Sequence, residues 1–560
     1  MMEWMSRAPF SLSPQDRRWV EETFRSLSLE EKVGQVFVLL CDELSEEKMQ
    51  YVLGLKPGGI HRFPNGVSWE TLASSAVFLQ EHSRVPLLLT GDLEFSFFAV
   101  RIGDEGSEFQ TQMGVAASSD PLRDVERMAR IAAREGRALG YNVTFSPVVD
   151  INYNFRSTIT GARTFGSDAD MVRRLSEVYV RVLQEEGMGA CAKHWPGDGV
   201  DDRDQHLVTS CNSLSRDVWD ASYGEVYRGV IQAGVQSIMS AHICAPALVD
   251  GPDRFVPASL SGDLTITFLR ERLGFNGVVI SDATPMAGFA SQGKREDLLP
   301  RALDAGCDII LFSEDPEEDV QIVLDAVKSR RVAPERLDEA VLRILAWKAA
   351  LGLHRVEDWS SHVRGLMEEA RASREEHARW AEECFASSIT LVKHENDILP
   401  ISPQRYRRVL LLESRPPEVF GPSGFTPFKD YLEQEGFWVT RMEADVLPDP
   451  DLYDLAIYLL DHYTFMSEGR ASIPWAELHG GAFRSMWRFW DDIPTVMISL
   501  SSPYFLFEAP TVGTYVNVYS PAEVGLKVLV DLLMGRREFR GRNPVDPFCG
   551  MEDVRVSCGG

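Results

Sequence analysis

Eight short apolar runs, all within the first 312 residues, constrain the fold of this chain more than any other feature. Most of the segments between them hold 25 to 50 residues and carry a helical pattern, as in 120–139, 171–186 and 215–233. Strands and helices that alternate in this number predict an α/β chain that begins with a (β/α)8 barrel. The runs are 33–40, 58–63, 85–92, 141–148, 189–195, 236–242, 277–282 and 307–312.

Polar residues stand at the ends of several of these runs. They are Asp92, Lys193, His194, His242 and Asp282. Barrels of this kind build their active sites at the carboxyl ends of their strands. The pattern therefore predicts a functional site that combines these side chains.

A second α/β unit follows the barrel, as expected for a chain of 560 residues, which is longer than one core usually serves. The predicted domains are a barrel over 1–355, a helical linker over 356–386 and a C-terminal domain over 387–560. The C-terminal unit shows short hydrophobic strand patterns and helices such as 523–534. Its predicted strands are 408–412, 455–460, 495–500 and 515–519.

Composition excludes several functional classes. The formal net charge of −27 would repel phosphate backbones and anionic membrane surfaces, so neither nucleic acid nor a membrane is an expected partner. No apolar run reaches the ~20 residues of a spanning helix, and the first residues lack the apolar core of a signal peptide. The eight cysteines are scattered without the spacing of a zinc site, so no metal is expected. Together these features predict a cytoplasmic protein.

The stretch KHWPGDGVDDRDQH, residues 193–206, is the most chemically informative part of the chain. Asp204 and His206 are two residues apart, which in an extended segment places both side chains on one face. A carboxylate against an imidazole fixes its tautomer and favours its charged form, which makes His206 a candidate general acid. The alternative is a purely structural role, in which the two side chains only satisfy hydrogen bonds within the loop.

This loop resembles the KHFPGHG…DSH loop of the β-N-acetylglucosaminidase branch of glycoside hydrolase family 3. Further motifs resemble that family in the same order, and the similarity extends over nearly the whole chain. Several ordered motifs identify a family far better than any one of them. They are SLEEKVGQ (28–35), LGYNVTFSPVVDI (139–151), ARTFGSDAD (162–170), GVVISDA (277–283), SSITLVKHENDILPI (387–401) and GRREFRGRNPV (535–545).

The resemblance implies a retaining glycosidase that removes terminal β-linked N-acetylglucosamine. Asp282 matches the family's nucleophile, which would form a covalent glycosyl intermediate, although an Asp at a strand end can also cap the next helix. His206, supported by Asp204, matches the acid/base of this branch. No cofactor is implied.

Four further residues match the family's ligands for ring hydroxyls, and the second domain matches its αβα sandwich. Cations buried in such a site need nearby carboxylates, and the alternative reading of each is a structural ion pair. The four residues are Asp92, Arg163, Lys193 and His194.

Three alternatives stay open from the sequence. A β-glucosidase would take its acid/base from the second domain, where Glu468 lies in a Gly-containing loop. Glu468 and Arg470 are also candidates for a contact with the sugar. A β-N-acetylglucosaminide phosphorylase would use phosphate as the acceptor, since a histidine leaves the site less negative than a glutamate would. A non-catalytic sugar-binding protein is the third reading.

The chain departs from the family pattern at three places. The segment DLEFSFFAVR (92–101) lacks two glycines of the family's motif and places Arg101 out of register, so no role is assigned to that arginine. Asp198 stands where the loop usually has a second histidine, and Ala283 stands where a second aspartate follows the nucleophile. These two changes predict an altered aglycone side or reaction preference.

Overall fold

The computed structural model describes residues 3–96, 100–395, 397–414, 425–463 and 472–555. Within these ranges, eight parallel strands close a barrel, and two further short strands pair beside it. The strands are β1 (Phe37–Leu40), β2 (Gly59–His61), β3 (Leu88–Gly91), β4 (Val143–Thr144), β5 (Gly189–Trp195), β6 (Ser210–Cys211), β7 (Ser237–Ser240), β8 (Ile243–Cys244), β9 (Val278–Ala283) and β10 (Ile309–Leu311).

The order around the barrel is β1-β10-β9-β7-β5-β4-β3-β2, and β6 pairs with β8. Each of the eight predicted apolar runs overlaps one barrel strand, so the predicted barrel is confirmed. The strands of parallel barrels are covered on both faces, which explains why they appear as unbroken apolar runs rather than as alternating ones. All seven residues of β5 are buried.

Helices connect and surround the barrel strands. None of the described helices is both long and apolar enough to cross a membrane. A π-helix covers Asp263–Arg272, and the α-helices of this part are α1 (Pro14–Ser26), α2 (Leu29–Gln35), α3 (Glu46–Gly54), α4 (Trp69–Glu81), α5 (Gln112–Ala117), α6 (Pro121–Ala138), α7 (Ala169–Glu185), α8 (Arg216–Ala221), α9 (Tyr223–Gln232), α10 (Ala287–Ala290), α11 (Arg295–Asp304), α12 (Pro316–Lys328) and α13 (Pro334–Ala350).

The first predicted strand is too long at its start, because residues 33–35 belong to α2. Ser28 and Glu31 form a capping box at the start of this helix. The Ser28 hydroxyl accepts the Glu31 N–H at 3.2 Å, and the Glu31 carboxylate accepts the Ser28 N–H at 2.9 Å. The cap satisfies N–H groups that a helix start leaves open, and so it favours helix over the apolar signal of Val33.

The second domain contains a six-stranded sheet in the order β11-β16-β15-β14-β12-β13, in which β11 is antiparallel to β16 and the other pairs are parallel. Its strands are β11 (Thr390–His394), β12 (Arg408–Glu413), β13 (Trp438–Arg441), β14 (Leu455–Leu460), β15 (Thr495–Ser499) and β16 (Thr514–Asn517). Helices of this part and of the preceding linker are α14 (Trp359–Ala372), α15 (Arg374–Ser388), α16 (Phe428–Gln434), α17 (Trp475–Leu478), α18 (Glu523–Leu533) and α19 (Glu552–Arg555).

Both faces of this sheet are buried. Alternate residues of β12 belong to two different apolar clusters: Val409 and Leu411 pack in one, and Leu410 and Leu412 pack in the other. The first cluster includes residues of α15 and α18, and the second includes α17 and the segments around it. The fold is therefore a barrel followed by a layered α/β domain, as predicted.

The sheet domain contacts the barrel through specific hydrogen bonds. The Gln110 amide donates to the Val518 carbonyl at 2.9 Å, and the Thr111 hydroxyl donates to the Tyr519 carbonyl at 3.0 Å. The Ser167 N–H donates to the Pro544 carbonyl at 3.1 Å. These contacts join the second domain to the segments that follow β3 and β4, near the barrel's carboxyl end.

Candidate active site

An open cavity of about 940 Å³ lies at the carboxyl end of the barrel. It contains the predicted nucleophile, the predicted acid/base and the four predicted sugar ligands. Its lining residues are Phe63, Asp92, Phe145, Arg163, Lys193, His194, His206, Met239, Asp282, Ala283, Pro285, Met286, Leu311 and Phe312. Among the described residues, no group of three or more His, Cys, Asp and Glu side chains is arranged to hold a metal ion.

Asp282 is the penultimate residue of β9 and is 9% exposed. Its Oδ1 accepts the N–H of Ala283 at 2.8 Å. Burial acts to raise the pKa of Asp282, but nearby His194, His242 and His206 outweigh it and hold that pKa below its usual value. Asp282 is thus a rigid, ionised carboxylate facing the cavity. It does not cap the following helix, since α10 begins after Met286 without a side-chain cap.

His206 and Asp204 form a hydrogen-bonded pair at the cavity. Asp204 Oδ1 lies 2.7 Å from His206 Nδ1 and also accepts the backbone N–H of His206 at 2.7 Å. The expectation of an extended segment is wrong, because residues 205 and 206 lie in a turn. An aspartate that binds the N–H two residues on closes an Asx turn, which brings the two side chains together without a strand.

Two buried cations and two carboxylates form one network beside the cavity. Lys193 Nζ lies 2.7 Å from Asp92 Oδ1 and 3.2 Å from Glu94 Oε1. The Arg163 guanidinium binds both oxygens of Glu94, at 2.9 and 3.0 Å. Burial acts to lower the pKa of Lys193, and Asp92 and Glu94 reverse that effect, so the ammonium stays charged.

Asp150 organises the loop that carries His194. Its Oδ1 accepts the N–H groups of His194 at 3.1 Å and of Asp198 at 2.7 Å, and its Oδ2 lies 2.6 Å from His194 Nδ1. Gly197 and Gly199 adopt φ values of +121° and +98° in this loop, which explains why glycine is needed there. Asp150 is therefore a positioning residue for His194.

Of the departures from the family pattern, Ala283 lines the cavity and Asp198 does not. Asp198 is 3% exposed, and burial together with the charge of Asp150 raises its pKa well above the usual value. The change at Ala283 therefore alters the surface of the cavity. The change at Asp198 alters the buried interior of the loop instead. Arg101 pairs with Glu108 at 2.5 Å and does not line the cavity. Glu468 and Arg470 lie outside the described residues.

Glu94 and His61 are residues of this site that the sequence analysis missed. A second carboxylate such as Glu94 could have been anticipated, because two buried cations beside a single predicted carboxylate require another negative charge. His61 Nε2 lies 3.6 Å from Asp92 Oδ2, and its ring stacks on Phe145 with centroids 5.4 Å apart. Burial lowers the pKa of His61 to about 4, so this ring is neutral at neutral pH.

The chain is similar to several known proteins. Residues 28–347 match the family model described as the glycosyl hydrolase family 3 N terminal domain. A beta-N-acetylglucosaminidase/beta-glucosidase of Cellulomonas fimi is 39% identical over 581 residues, which covers 99% of this chain and 100% of that protein. A beta-hexosaminidase of Stenotrophomonas maltophilia (strain K279a) is 34% identical over 243 residues, 43% of this chain and 68% of that protein.

Two solved structures share the fold over nearly the full length. A beta-glucoside phosphorylase bound to 2FGlc superposes with a TM-score of 0.90 at 33% identity and covers 98% of this chain and 100% of that one. A family 3 beta-N-acetylglucosaminidase from Paenibacillus sp. str. FPU-7 superposes with a TM-score of 0.78 at 24% identity, over 94% of this chain and 100% of that one.

A barrel with an ionised carboxylate, a carboxylate-supported histidine and a charged network around one cavity defines a sugar-cleaving enzyme of the (β/α)8 class. With the matches above, the family is established. The chain belongs to glycosyl hydrolase family 3, and the protein is a glycoside hydrolase.

Proposed function

We propose that the protein is a retaining, exo-acting β-N-acetylglucosaminidase in which Asp282 is the nucleophile and His206, supported by Asp204, is the acid/base. The observation that carries the proposal is that Asp282 and His206 line the same cavity as the charged network. A binding protein needs no ionised nucleophile beside a carboxylate-supported imidazole, so this arrangement favours catalysis over mere sugar binding.

In the first step, the Asp282 carboxylate attacks the anomeric carbon while His206 gives a proton to the departing oxygen. The low pKa of Asp282 keeps the carboxylate ionised and ready to attack. Asp204 fixes the ring through Nδ1, so Nε2 is the atom that delivers the proton. The products are a covalent glycosyl ester on Asp282 and the free aglycone.

In the second step, the neutral His206 takes a proton from a water molecule that attacks the same carbon. The bond to Asp282 breaks and the carboxylate is restored. Two displacements at one carbon retain its configuration. The charge of Asp204 stabilises the imidazolium that forms as the proton arrives.

The lining of the cavity combines charged and apolar side chains, which supports an amphipathic sugar such as N-acetylglucosamine. Asp92, Arg163 and Lys193 come from β5 and the segments after β3 and β4, which are neighbours in the barrel. The larger apolar residues come from β7 and β10 and from the segments after β2, β4, β9 and β10; they are Phe63, Phe145, Met239, Pro285, Met286, Leu311 and Phe312. Charged groups suit ring hydroxyls, and apolar groups suit the acetamido methyl and the sugar's C–H face.

Phosphorolysis is the second candidate, and the similarity to a beta-glucoside phosphorylase favours it. Once His206 has given up its proton it is neutral, so an incoming phosphate meets no negatively charged acid/base group at the glycosyl intermediate. A glutamate in the same role would be negative at that moment and would repel an anionic acceptor. Phosphate attack would release the sugar as its 1-phosphate rather than as the free sugar.

One assay separates these functions. The nitrophenyl β-glycosides of N-acetylglucosamine and of glucose are compared by kcat/KM, with and without phosphate, and the product and its anomer are identified by NMR. We expect preference for the acetamido sugar, release of free β-N-acetylglucosamine, and little change with phosphate. Equal or better kcat/KM on the glucoside contradicts the proposed specificity. Sugar 1-phosphate as the main product would identify the reaction as phosphorolysis instead of hydrolysis.

A matched control is Asp282→Ala, which keeps the charged network but lacks the nucleophile. Residual activity in that preparation measures any contaminating glycosidase. The wild-type rates on the two glycosides can be compared only if the purified Asp282→Ala variant has lost activity on both.

A further inference from the structure

The two short strands β6 and β8 place two cysteines side by side next to the active site. Cys211 and Cys244 are direct register partners in this parallel pair. Neighbouring strands lie about 4.8 Å apart, which falls within the Cα separation of about 4.4–6.8 Å that disulfides span. Side chains of register partners point to the same side of a sheet, so the two thiols face the same space. The two sulfurs are not joined by a disulfide in this structure.

Backbone hydrogen bonds already hold this pair in place. The Ser210 N–H donates to the His242 carbonyl at 3.3 Å, and the Asn212 N–H donates to the Cys244 carbonyl at 2.8 Å. The Cys211 N–H donates to Asp201 Oδ2 at 2.8 Å. These hydrogen bonds keep the two strands at the spacing of a paired ladder.

The two thiols differ in exposure and in acidity. Cys211 is partly exposed, whereas Cys244 is 4% exposed. The hydrogen bond from Cys244, with help from the Arg203 guanidinium, holds the pKa of Cys211 below its usual value against burial and the charge of Asp201. Arg203 is fixed beside this thiol because it binds Asp201 at 2.6 Å. A partly exposed thiol near a cation is the kind that reacts first with oxidants.

Other cysteines of the described chain lack this combination. Burial raises the pKa of the thiols of Cys41, Cys191, Cys307 and the partly exposed Cys549 to between about 11 and 12. Cys384 is fully buried, and its pKa is raised well above the usual value for the same reason. A mild oxidant should therefore distinguish Cys211 from these five.

We propose that Cys211 and Cys244 form a reversible dithiol/disulfide site that reacts with hydrogen peroxide. The site joins β6, which follows the segment of Asp204 and His206, to β8, which follows His242. Its oxidation cross-links the ends of two segments beside the catalytic cavity. The site does not depend on which glycoside the enzyme cleaves.

The chemistry balances with peroxide as the oxidant. The Cys211 thiolate attacks one peroxide oxygen, the O–O bond breaks, and the products are a sulfenic acid on Cys211 and hydroxide, which takes up the proton that Cys211 had lost. The Cys244 sulfur then attacks the Cys211 sulfur, the S–O bond breaks, and water leaves with the Cys244 proton. Overall, two thiols and one peroxide give one disulfide and two waters.

Peptide mapping of the full-length protein tests the site. The reduced protein is treated with peroxide at low molar excess, remaining thiols are alkylated, and the digest is analysed by mass spectrometry without reduction. We expect a cross-linked peptide pair containing Cys211 and Cys244, the loss of two alkylatable thiols, and the return of both after dithiothreitol. The proposal is overturned if Cys211 reacts no faster than Cys384, or if it is oxidised while Cys244 stays a free thiol.

Variants give a second measurement. In Cys244→Ser the sulfenic acid on Cys211 has no resolving thiol, so dimedone should trap it, whereas the wild type should give little dimedone adduct. Cys384→Ser is the matched control and should form the cross-link as the wild type does. Equal dimedone labelling of Cys211 in the wild type and in Cys244→Ser would show that Cys244 does not resolve the intermediate, which contradicts the proposal.

Discussion

Asp204 Oδ1 holds His206 at two points, through the backbone N–H and through ring Nδ1, both at 2.7 Å. One carboxylate oxygen thus fixes both the turn and the orientation of the ring. The other oxygen of Asp204, Oδ2, is buried and has no hydrogen-bond partner among the described residues. Both hydrogen bonds that this carboxylate accepts within the described residues therefore come from His206.

If His206 protonates the leaving oxygen, His206→Ala should slow substrates with poor leaving groups by about 10²–10⁴ in the glycosylation step. Activated aryl glycosides should be affected much less, because a good leaving group scarcely needs the proton. Single-turnover rates on a series of aryl β-N-acetylglucosaminides measure this dependence. Asp204→Ala should show the same pattern more mildly, since the imidazole remains.

Glu468→Gln tests the rival source of the proton. We expect its leaving-group dependence to match that of the wild type. A dependence that steepens in Glu468→Gln and stays unchanged in His206→Ala would assign the proton to the second domain.

The nucleophile can be tested by chemical rescue. Asp282→Ala should lose at least about 10³ in turnover, because the covalent step is removed, yet it should still bind sugar. Azide can occupy the space of the lost carboxylate and attack an activated glycoside directly, which gives an α-glycosyl azide by a single displacement. The product anomer, read by NMR, checks the assignment. A folded variant with turnover near that of the wild type would exclude Asp282 as the nucleophile.

Much of this architecture could be predicted from local sequence patterns. The barrel strands follow from apolar runs, and Asp282 and Asp92 follow from the rule that active sites gather at strand ends. Two edge regions of the second sheet were missed. Three of the four residues of β13 are partly or largely exposed, including Trp438 at 59%, so this edge strand lacks the apolar run that marked the buried strands.

The missing part of the site depends on pairing between distant residues. Glu94 meets Arg163 across 69 positions of sequence, and no local pattern near either residue indicates the other. The Asx turn at Asp204 shows a different limit. Spacing alone predicted that His206 lies beside the carboxylate, but the same spacing fits both a strand and a turn.

The buried network predicts a large stability effect at Glu94. Glu94→Gln leaves Arg163 and Lys193 buried with one carboxylate fewer, and it should lower the free energy of unfolding by about 3–5 kcal/mol. The matched control is Glu177→Gln, whose partner Arg173 lies 2.7 Å away on the surface of α7, and the expected loss there is below about 1 kcal/mol. Urea denaturation of both variants measures the difference. Similar losses in the two would contradict the role of Glu94 as the charge that balances the site.

A lysine at the opposite end of the barrel predicts a pH dependence of stability that is separate from catalysis. Lys348, near the end of α13, is fully buried, and its Nζ donates to Gln35 Oε1 at 2.7 Å. Burial lowers the pKa of Lys348 from 10.5 to about 7. Between these values the unfolded chain binds a proton that the folded chain lacks. Stability should therefore rise with pH in this window, by up to about 1.4 kcal/mol per pH unit.

Lys348→Met removes this titration, so its free energy of unfolding should rise less between pH 7 and pH 9 than that of the wild type. Lys328→Met is the matched control, because the Lys328 side chain is 49% exposed on α12. Urea denaturation at several pH values measures each slope, and the difference between variant and wild type isolates Lys348 from other groups that titrate in the same range. Turnover at pH 7 should stay unchanged, since Lys348 does not line the catalytic cavity. If Lys348→Met and Lys328→Met keep the wild-type slope alike, Lys348 is charged in the folded protein and its burial does not shift its titration.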